Sequence, residues 1–180
     1  PSIRKYLVEM TPPDLAKPIA DWERLSRGLE TSISLVRRGE ENLPKARDLS
    51  IDYRCLRGLG DALREGNWKV TVTVWQDREV IRVQPGYVEK SYGAAVDIGT
   101  TTVSLYLVDL LTGNVRAQVA EYNQQISRGE DVISRIIVAG KDGGQELMQN
   151  LVLDTINELI GRACQRVDAN RRDIFKVTIS

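Results

Sequence analysis

Histidine is absent from the 180-residue sequence, and cysteine occurs only twice, as Cys55 and Cys164. Two cysteines without a histidine provide neither a disulfide framework nor a Cys/His metal set. An iron–sulfur cluster is usually ligated by four thiolates, so this chain alone cannot hold one. These absences exclude disulfide and metal chemistry based on cysteine or histidine from what the chain can do by itself.

The sequence also lacks net charge and long apolar runs. Lysine and arginine together number 25, as do aspartate and glutamate, so no net field attracts nucleic acid or an anionic membrane surface. No run of about 18 apolar residues and no signal peptide occurs, which predicts a cytoplasmic protein with neither nucleic acid nor membrane as a partner. The hydrophobic content of 42% suffices for one sizeable core or two small ones.

One apolar stretch, residues 93–103, is interrupted by Asp97, Gly99 and the threonines Thr100, Thr101 and Thr102. An ionised carboxylate is costly in an apolar setting, so Asp97 is expected at a strand end. Gly99 permits a positive φ and close approach of other groups. Such a loop offers backbone N–H groups to phosphate oxygens, and Asp97 could hold Mg²⁺ through water. Residue types alone are equally compatible with a tight hairpin that carries a surface aspartate.

This stretch is similar to the first phosphate motif of the ASKHA superfamily, which contains actin, sugar kinases and the heat-shock chaperone ATPases. In that superfamily, Asp-x-Gly-Thr/Ser-Thr joins the first two strands of an RNase H-like domain. Strands predicted at 103–109 and 115–121 continue the pattern. The resemblance implies ATP and Mg²⁺ as cofactors, with the phosphates held by Gly99 and Thr100–Thr102 and the metal held by Asp97 through water.

Four further segments narrow the family, namely residues 6–13, 123–125, 129–136 and 177–180. Together they resemble the reductive activators of corrinoid-dependent methyltransferases and corrinoid iron–sulfur proteins. The resemblance implies a parent protein that uses ATP to drive an electron from a [2Fe–2S] domain to a cob(II)amide, which restores cob(I)amide. The partner would be a corrinoid protein. The cluster would lie in an N-terminal domain that is missing from this chain.

The predicted fold combines α+β and α/β structure, and the chain is expected to divide into three parts. Residues 1–29, rich in proline, form a linker arm with a helical turn that Gly28 ends. Residues 30–86 form a small α+β middle domain, in which a helix at 54–65 and a β-hairpin at 68–83 are the clearest elements. Residues 87–180 form the first part of an RNase H-like domain, with strand order 3-2-1-4 and a helix at 145–168.

Other functions stay open at this point. The enzymatic alternatives are a sugar kinase or an activator of 2-hydroxyacyl-CoA dehydratases, both ASKHA members. Sugar kinases share Gly-Thr-Thr but seldom carry a proline-rich linker and a small domain ahead of it. The third possibility is a non-catalytic dimerisation or docking fragment. The chain alone is not expected to be catalytic, and the strand at 174–179 would leave an exposed edge that favours a homodimer.

Overall fold

The computed structural model of the chain describes residues 2–16 and 18–180. Pro1 and Lys17, which fall in the predicted linker arm, lie outside the described residues. Contacts within the chain divide it into two units, Pro1–Glu89 and Lys90–Ser180, each with its own core. The division falls shortly after Gly86, where the sequence predicted a boundary.

A four-stranded sheet forms the base of the first unit. Its order is β1-β3-β4-β2, antiparallel except that β2 runs parallel to β4. The predicted hairpin is present as β3 and β4, whose alternating valines place one face against the core. The strands are β1 Ile3–Glu9, β2 Ser50–Ile51, β3 Lys69–Trp75 and β4 Glu79–Pro85.

Residues 3–9 and 21–29, which the sequence assigned to a linker arm, form a strand and part of a helix within this unit. β1 pairs antiparallel with β3 along its whole length, from Ile3 opposite Trp75 to Glu9 opposite Lys69. Helix α1, Asp21–Val36, then crosses the expected boundary at residue 29. Tyr6 and Val8 explain the pairing because both are buried in the core of the first unit.

Helix α1 also corrects the prediction that Gly28 ends a short helical turn. The helix continues through Gly28, and its residues Leu25, Leu29 and Ile33 are fully buried at helical spacing. A Cβ built on Gly28 would lie 2.8 Å from Cγ1 of Val8. The glycine therefore permits close packing of α1 on β1 and does not act as a stop signal.

The helix predicted at 54–65 is two helices, α2 Tyr53–Arg57 and α3 Leu59–Glu65. Gly58 is at once the C-cap of α2 and the N-cap of α3. The side chain of Asp52 caps α2 by accepting from the backbone N–H groups of Arg54 and Cys55. The low helix propensity of Gly58 explains the break.

The second unit contains a four-stranded sheet with the order β7-β6-β5-β8. This is the predicted order 3-2-1-4, and β8 is parallel to β5 as expected for a strand that follows a crossover helix. The hairpins β5-β6 and β6-β7 are antiparallel. The strands are β5 Tyr92–Ile98, β6 Thr102–Asp109, β7 Val115–Tyr122 and β8 Ile174–Ile179.

Two helices accompany this sheet, α4 Val132–Ala139 and α5 Gly144–Arg166. Helix α5 packs on β6 and β7, and it buries residues such as Leu159 and Ala163 in the core of the second unit. Cys164 is also buried, as expected for a structural thiol. Helix α4 packs against α5 but leaves its apolar stripe open to solvent. The stripe comprises Val132, Ile133, Ile136 and Ile137, which are 55% to 72% exposed.

Across the described ranges, no helix is both long enough and apolar enough to cross a bilayer.

Leu159→Ala is expected to lower the free energy of unfolding of the second unit by about 2–5 kcal/mol, because it leaves a cavity under the sheet. Leu159 is 0% exposed, whereas Leu153 on the same helix is 43% exposed. Leu153→Ala is therefore the matched control, with an expected loss of about 0.5 kcal/mol or less. Urea unfolding followed by circular dichroism measures both. Equal losses would contradict the packing of α5.

Candidate functional site

The predicted phosphate loop, residues 99–102, connects β5 to β6 in the second unit. The backbone N–H of Gly99 donates to the carbonyl oxygen of Thr102 at 2.9 Å, which closes the turn. A Cβ built on Gly99 would lie 2.7 Å from that same oxygen. The turn therefore requires glycine at this position, because any side chain would force the two strands apart.

Two backbone donors of the loop have no partner. Within residues 2–16 and 18–180, no group accepts a hydrogen bond from the N–H of Thr100 or Thr101. Both residues are exposed, as is Thr102. The structure thus presents two consecutive amides and three hydroxyls to solvent. A phosphate oxygen is a suitable acceptor for such an arrangement.

Asp97 lies near the end of β5, opposite Ser104 of β6. Its side chain is exposed, whereas the neighbouring Val96 is buried in the core beneath α5. Since successive side chains of a strand point to opposite faces, Asp97 lies on the face of the sheet away from α5. In the described part of the chain, no group of three or more His, Cys, Asp or Glu side chains could enclose a metal ion. A single carboxylate fits Mg²⁺ that keeps most of its waters.

Two residues that the sequence did not assign to the site, Asn123 and Arg135, contact the loop from within the protein, and Gln125 contacts both of them. The side-chain Nδ2 of Asn123 donates to the carbonyl oxygen of Gly99 at 3.0 Å. The backbone N–H of Asn123 donates to the carbonyl oxygen of Thr101 at 2.9 Å. The guanidinium of Arg135 donates to the carbonyl oxygen of Thr100 at 2.6 Å and lies 3.4 Å from Oε1 of Gln125.

A signal for one of these residues was present in the sequence. Once β6 and β7 are paired so that Thr102 lies opposite Tyr122, the next residue, Asn123, necessarily stands beside the loop. The register of the hairpin could have placed Asn123 there. No comparable local signal exists for Arg135, which is 35 residues from Thr100 and lies on a helix.

The N-terminus of α4 sets the position of Arg135. The side chain of Asp131 accepts from the backbone N–H of Ser134 at 2.8 Å, and this bond lowers the pKa of the Asp131 carboxyl. Nε of Arg135 donates to the carbonyl oxygen of Gly129 at 2.9 Å. A Cβ on Gly129 would lie 2.9 Å from the backbone nitrogen of Arg135, so glycine is needed for this close approach.

A cavity of about 300 Å³ lies between the loop and α4. It joins the polar groups of the loop and its neighbours to apolar side chains of α4. Asp97 does not line it. The lining residues are Ile98, Gly99, Thr100, Asn123, Gln125, Val132, Arg135, Ile136, Ala139 and Met148.

The two cysteines do not form a site. Cys55 belongs to the first unit and Cys164 to the second, and both are free thiols. Burial raises the pKa of Cys55 to about 11 and also raises the pKa of Cys164. Neither thiol is therefore activated as a nucleophile, and the residues present do not fit an iron–sulfur cluster.

The fold and the loop define a mixed α+β protein with two mixed sheets and a glycine–threonine turn between antiparallel strands. The model of the RACo linker region matches residues 1–90, and the model of the RACo middle region matches residues 92–180. The chain belongs to the RACo family. The family's linker region therefore includes residues 30–86, which the sequence had assigned to a middle domain.

The chain is similar to two proteins that are described as corrinoid activators. The chain is 34% identical over 130 residues to the corrinoid activation enzyme RamQ of Eubacterium limosum, a match that covers 69% of the chain and 22% of RamQ. The structure superposes on a reductive activator for corrinoid, iron–sulfur protein with a TM-score of 0.72 and 32% identity, covering 100% of this chain and 28% of that one. The predicted family and fold class are confirmed. The chain spans less than a third of either relative.

Proposed function

We propose that this chain is part of an ATP-dependent reductive activator that returns a corrinoid protein from cob(II)amide to cob(I)amide. Membership of the RACo family and the similarity to two corrinoid activators support the corrinoid role. The observation that carries the nucleotide role is the pair of unpartnered N–H groups at Thr100 and Thr101 beside the exposed Asp97.

The residues present fit a magnesium nucleotide. The N–H groups of Thr100 and Thr101 and the threonine hydroxyls would bind phosphate oxygens, while Gly99 keeps the turn tight. Asp97 would accept hydrogen bonds from waters on Mg²⁺. When bound, ATP would supply the free energy of its hydrolysis to an otherwise uphill electron transfer. The contribution of this chain would be to bind and orient the phosphates.

The remaining partners of the proposed activator lie outside the chain. A [2Fe–2S] domain elsewhere in the protein would provide the electron, since the two thiols here do not fit a cluster. The acceptor would be a corrinoid protein in the cytoplasm. A homodimer is part of this proposal, supported by the exposure of Val177 and Ile179 on β8.

A second candidate function is that of a docking or dimerisation module without activity. The observation that favours it is the apolar stripe of α4, comprising Val132, Ile133, Ile136 and Ile137, which the second unit does not cover. Contiguous exposed apolar side chains often mark interaction sites. The two candidates differ in whether Asp97 matters for turnover.

Asp97→Asn in a full-length protein that carries this chain is expected to slow ATP hydrolysis and cob(I)amide formation by about 10- to 100-fold. The reason is that hydrogen bonds to a charged group contribute about 1.5–3 kcal/mol, and each 1.36 kcal/mol changes a rate about tenfold. Absorbance of the corrinoid and phosphate release measure the two activities.

The matched control for this substitution is Asp154→Asn, which alters an exposed carboxylate on α5 far along the chain from the loop. It should leave both activities unchanged. If Asp97→Asn also hydrolyses ATP at the wild-type rate, the assignment of Asp97 to the metal is lost and the docking function gains support.

A further inference from the structure

The carbonyl oxygens of three consecutive loop residues are all held from the protein side. Gly99 O accepts from Nδ2 of Asn123, Thr100 O from the guanidinium of Arg135, and Thr101 O from the backbone N–H of Asn123. The loop thus has one bonded surface, made of carbonyls, and one free surface, made of amides.

Peptide geometry connects these two surfaces. In a trans peptide the carbonyl of one residue and the N–H of the next share a plane and point in opposite directions. The chain contains no cis peptide among its described residues. Fixing Gly99 O therefore directs the N–H of Thr100, and fixing Thr100 O directs the N–H of Thr101. Each hydrogen bond to a loop carbonyl therefore orients the N–H group of the following residue.

The residues that hold the loop are themselves anchored. Asn123 is 1% exposed, and its Oδ1 accepts from the backbone N–H of Gln125 at 3.0 Å. Nε2 of Gln125 donates to the carbonyl oxygen of Met148 on α5 at 2.9 Å. Arg135 is tied to Gly129 through Nε at 2.9 Å. The loop is thereby connected to both α4 and α5, so its conformation depends on the packed body of the second unit.

The charge of Arg135 adds a second effect. Its hydrogen-bond acceptors are all neutral oxygens, and it forms no ion pair with any carboxylate in the two described ranges. A guanidinium bonded to Thr100 O polarises that peptide, which makes the N–H of Thr101 a stronger donor. The positive charge of Arg135, which the nearby Asp131 carboxylate offsets only in part, also favours an anion next to the loop.

We propose that Asn123, Gln125 and Arg135 form a loop clamp that fixes and polarises the 99–102 loop so that its free amides bind the phosphates of a nucleotide. The ligand in this proposal rests on the proposed function, whereas the ordering of the loop does not. All three are positioning residues, because they act through the backbone of the loop.

The first experiment measures loop order without any nucleotide. Backbone ¹⁵N relaxation of the 180-residue chain gives order parameters for Thr100 and Thr101, which are expected near 0.85 in the wild type, as for rigid backbone. Arg135→Met removes the guanidinium, and the values should fall below about 0.6. Arg128→Met is the control, since Arg128 is an exposed arginine whose side chain does not contact the loop.

Asn123→Asp provides a second variant in case Arg135→Met fails to fold. It removes the Nδ2 donor to Gly99 O but retains the oxygen that accepts from Gln125. The order parameter of Thr100 should fall more than that of Thr101, because the lost bond fixes the peptide between Gly99 and Thr100. A structural defect in the whole unit would lower both equally, together with those of β5 and β6.

The second experiment uses the full-length protein and measures the dissociation constant of Mg-ATP by calorimetry. Arg135→Met and Asn123→Asp should each raise it by about tenfold or more. Arg135→Lys should restore part of the affinity, because it keeps the charge and one donor but loses the fork that also reaches Gly129 and Gln125. Arg128→Met should bind like the wild type.

The outcomes of the two experiments distinguish the ordering of the loop by the clamp from the binding of a nucleotide by the loop. Rigid amides at Thr100 and Thr101 in both variants would overturn the clamp. Loosened amides with unchanged Mg-ATP affinity would overturn its role in phosphate binding. A wild-type protein that binds no Mg-ATP would overturn the proposed function and the ligand named here, while the relaxation data would still decide whether the clamp orders the loop.

Discussion

Thr100→Pro in the full-length protein is expected to lower ATP hydrolysis by on the order of 100- to 1,000-fold. Proline removes one of the two free N–H groups of the loop and restricts the backbone of Gly99, which precedes it. Loss of a single preorganised backbone donor from an anion site typically has an effect of this size. The tight turn between Gly99 and Thr102 leaves no room for compensation.

Two conservative substitutions at the same position distinguish the contribution of the backbone N–H to activity from that of the side-chain hydroxyl. Thr100→Ser retains the N–H and a hydroxyl, and Thr100→Ala retains only the N–H. Both should keep most of the activity if the amide is the main ligand. Steady-state phosphate release measures the series, and thermal unfolding verifies that each variant is folded. A milder effect for Thr100→Pro than for Thr100→Ser would count against a phosphate loop.

The hairpin β3-β4 and the second sheet were predictable because their information is local, whereas the pairing of β1 with β3 was not predicted. The alternation of valines and threonines in β3 and the turn residues after Trp75 specify a hairpin with few competing structures. In the second unit, two antiparallel hairpins followed by a crossover helix leave one favoured place for β8, beside β5. The strand order of the second unit followed from these rules together with the resemblance to an RNase H-like domain.

Two helices were harder to predict because glycine has more than one structural role. Gly28 lies inside α1, where its missing side chain lets the helix approach Val8. Gly58 interrupts the predicted helix at 54–65 and separates α2 from α3. The same residue type therefore allowed one helix to continue and ended another. The two glycines differ in their surroundings, because a Cβ on Gly28 would contact Val8 whereas a Cβ on Gly58 would meet no atom within 4 Å.

The candidate site was predicted in part. The residues of the turn itself, from Asp97 to Thr102, were identified because their order in the sequence matches a phosphate motif. Arg135 was not, since its contact with Thr100 spans 35 residues and depends on where α4 begins. The cap at Asp131 and the close approach at Gly129 fix that start, and both are tertiary features. A motif thus predicts the groups that face the ligand better than those that hold them in place.

The 180-residue chain by itself is expected to bind Mg-ATP no more tightly than about 1 mM. Two free amides contribute on the order of 1 kcal/mol each, and Asp97 would contact the metal only through water. A dissociation constant of 1 mM requires about 4.1 kcal/mol and one of 1 μM about 8.2 kcal/mol. In the ASKHA superfamily, to which the loop sequence is similar, the nucleotide lies between two halves, whereas the loop described here belongs to a single sheet with the order β7-β6-β5-β8.

Calorimetry with Mg-ATP on the chain and on a full-length protein that carries it measures this difference, which should exceed a factor of about 1,000 if the full-length protein binds at micromolar concentration. Sedimentation of the same samples tests the edge of β8, which pairs only with β5 among the described strands and exposes Val177 and Ile179. A paired edge would appear as a dimer of the chain. Micromolar binding by a monomer would contradict both expectations, because it would place the whole nucleotide site within these two units.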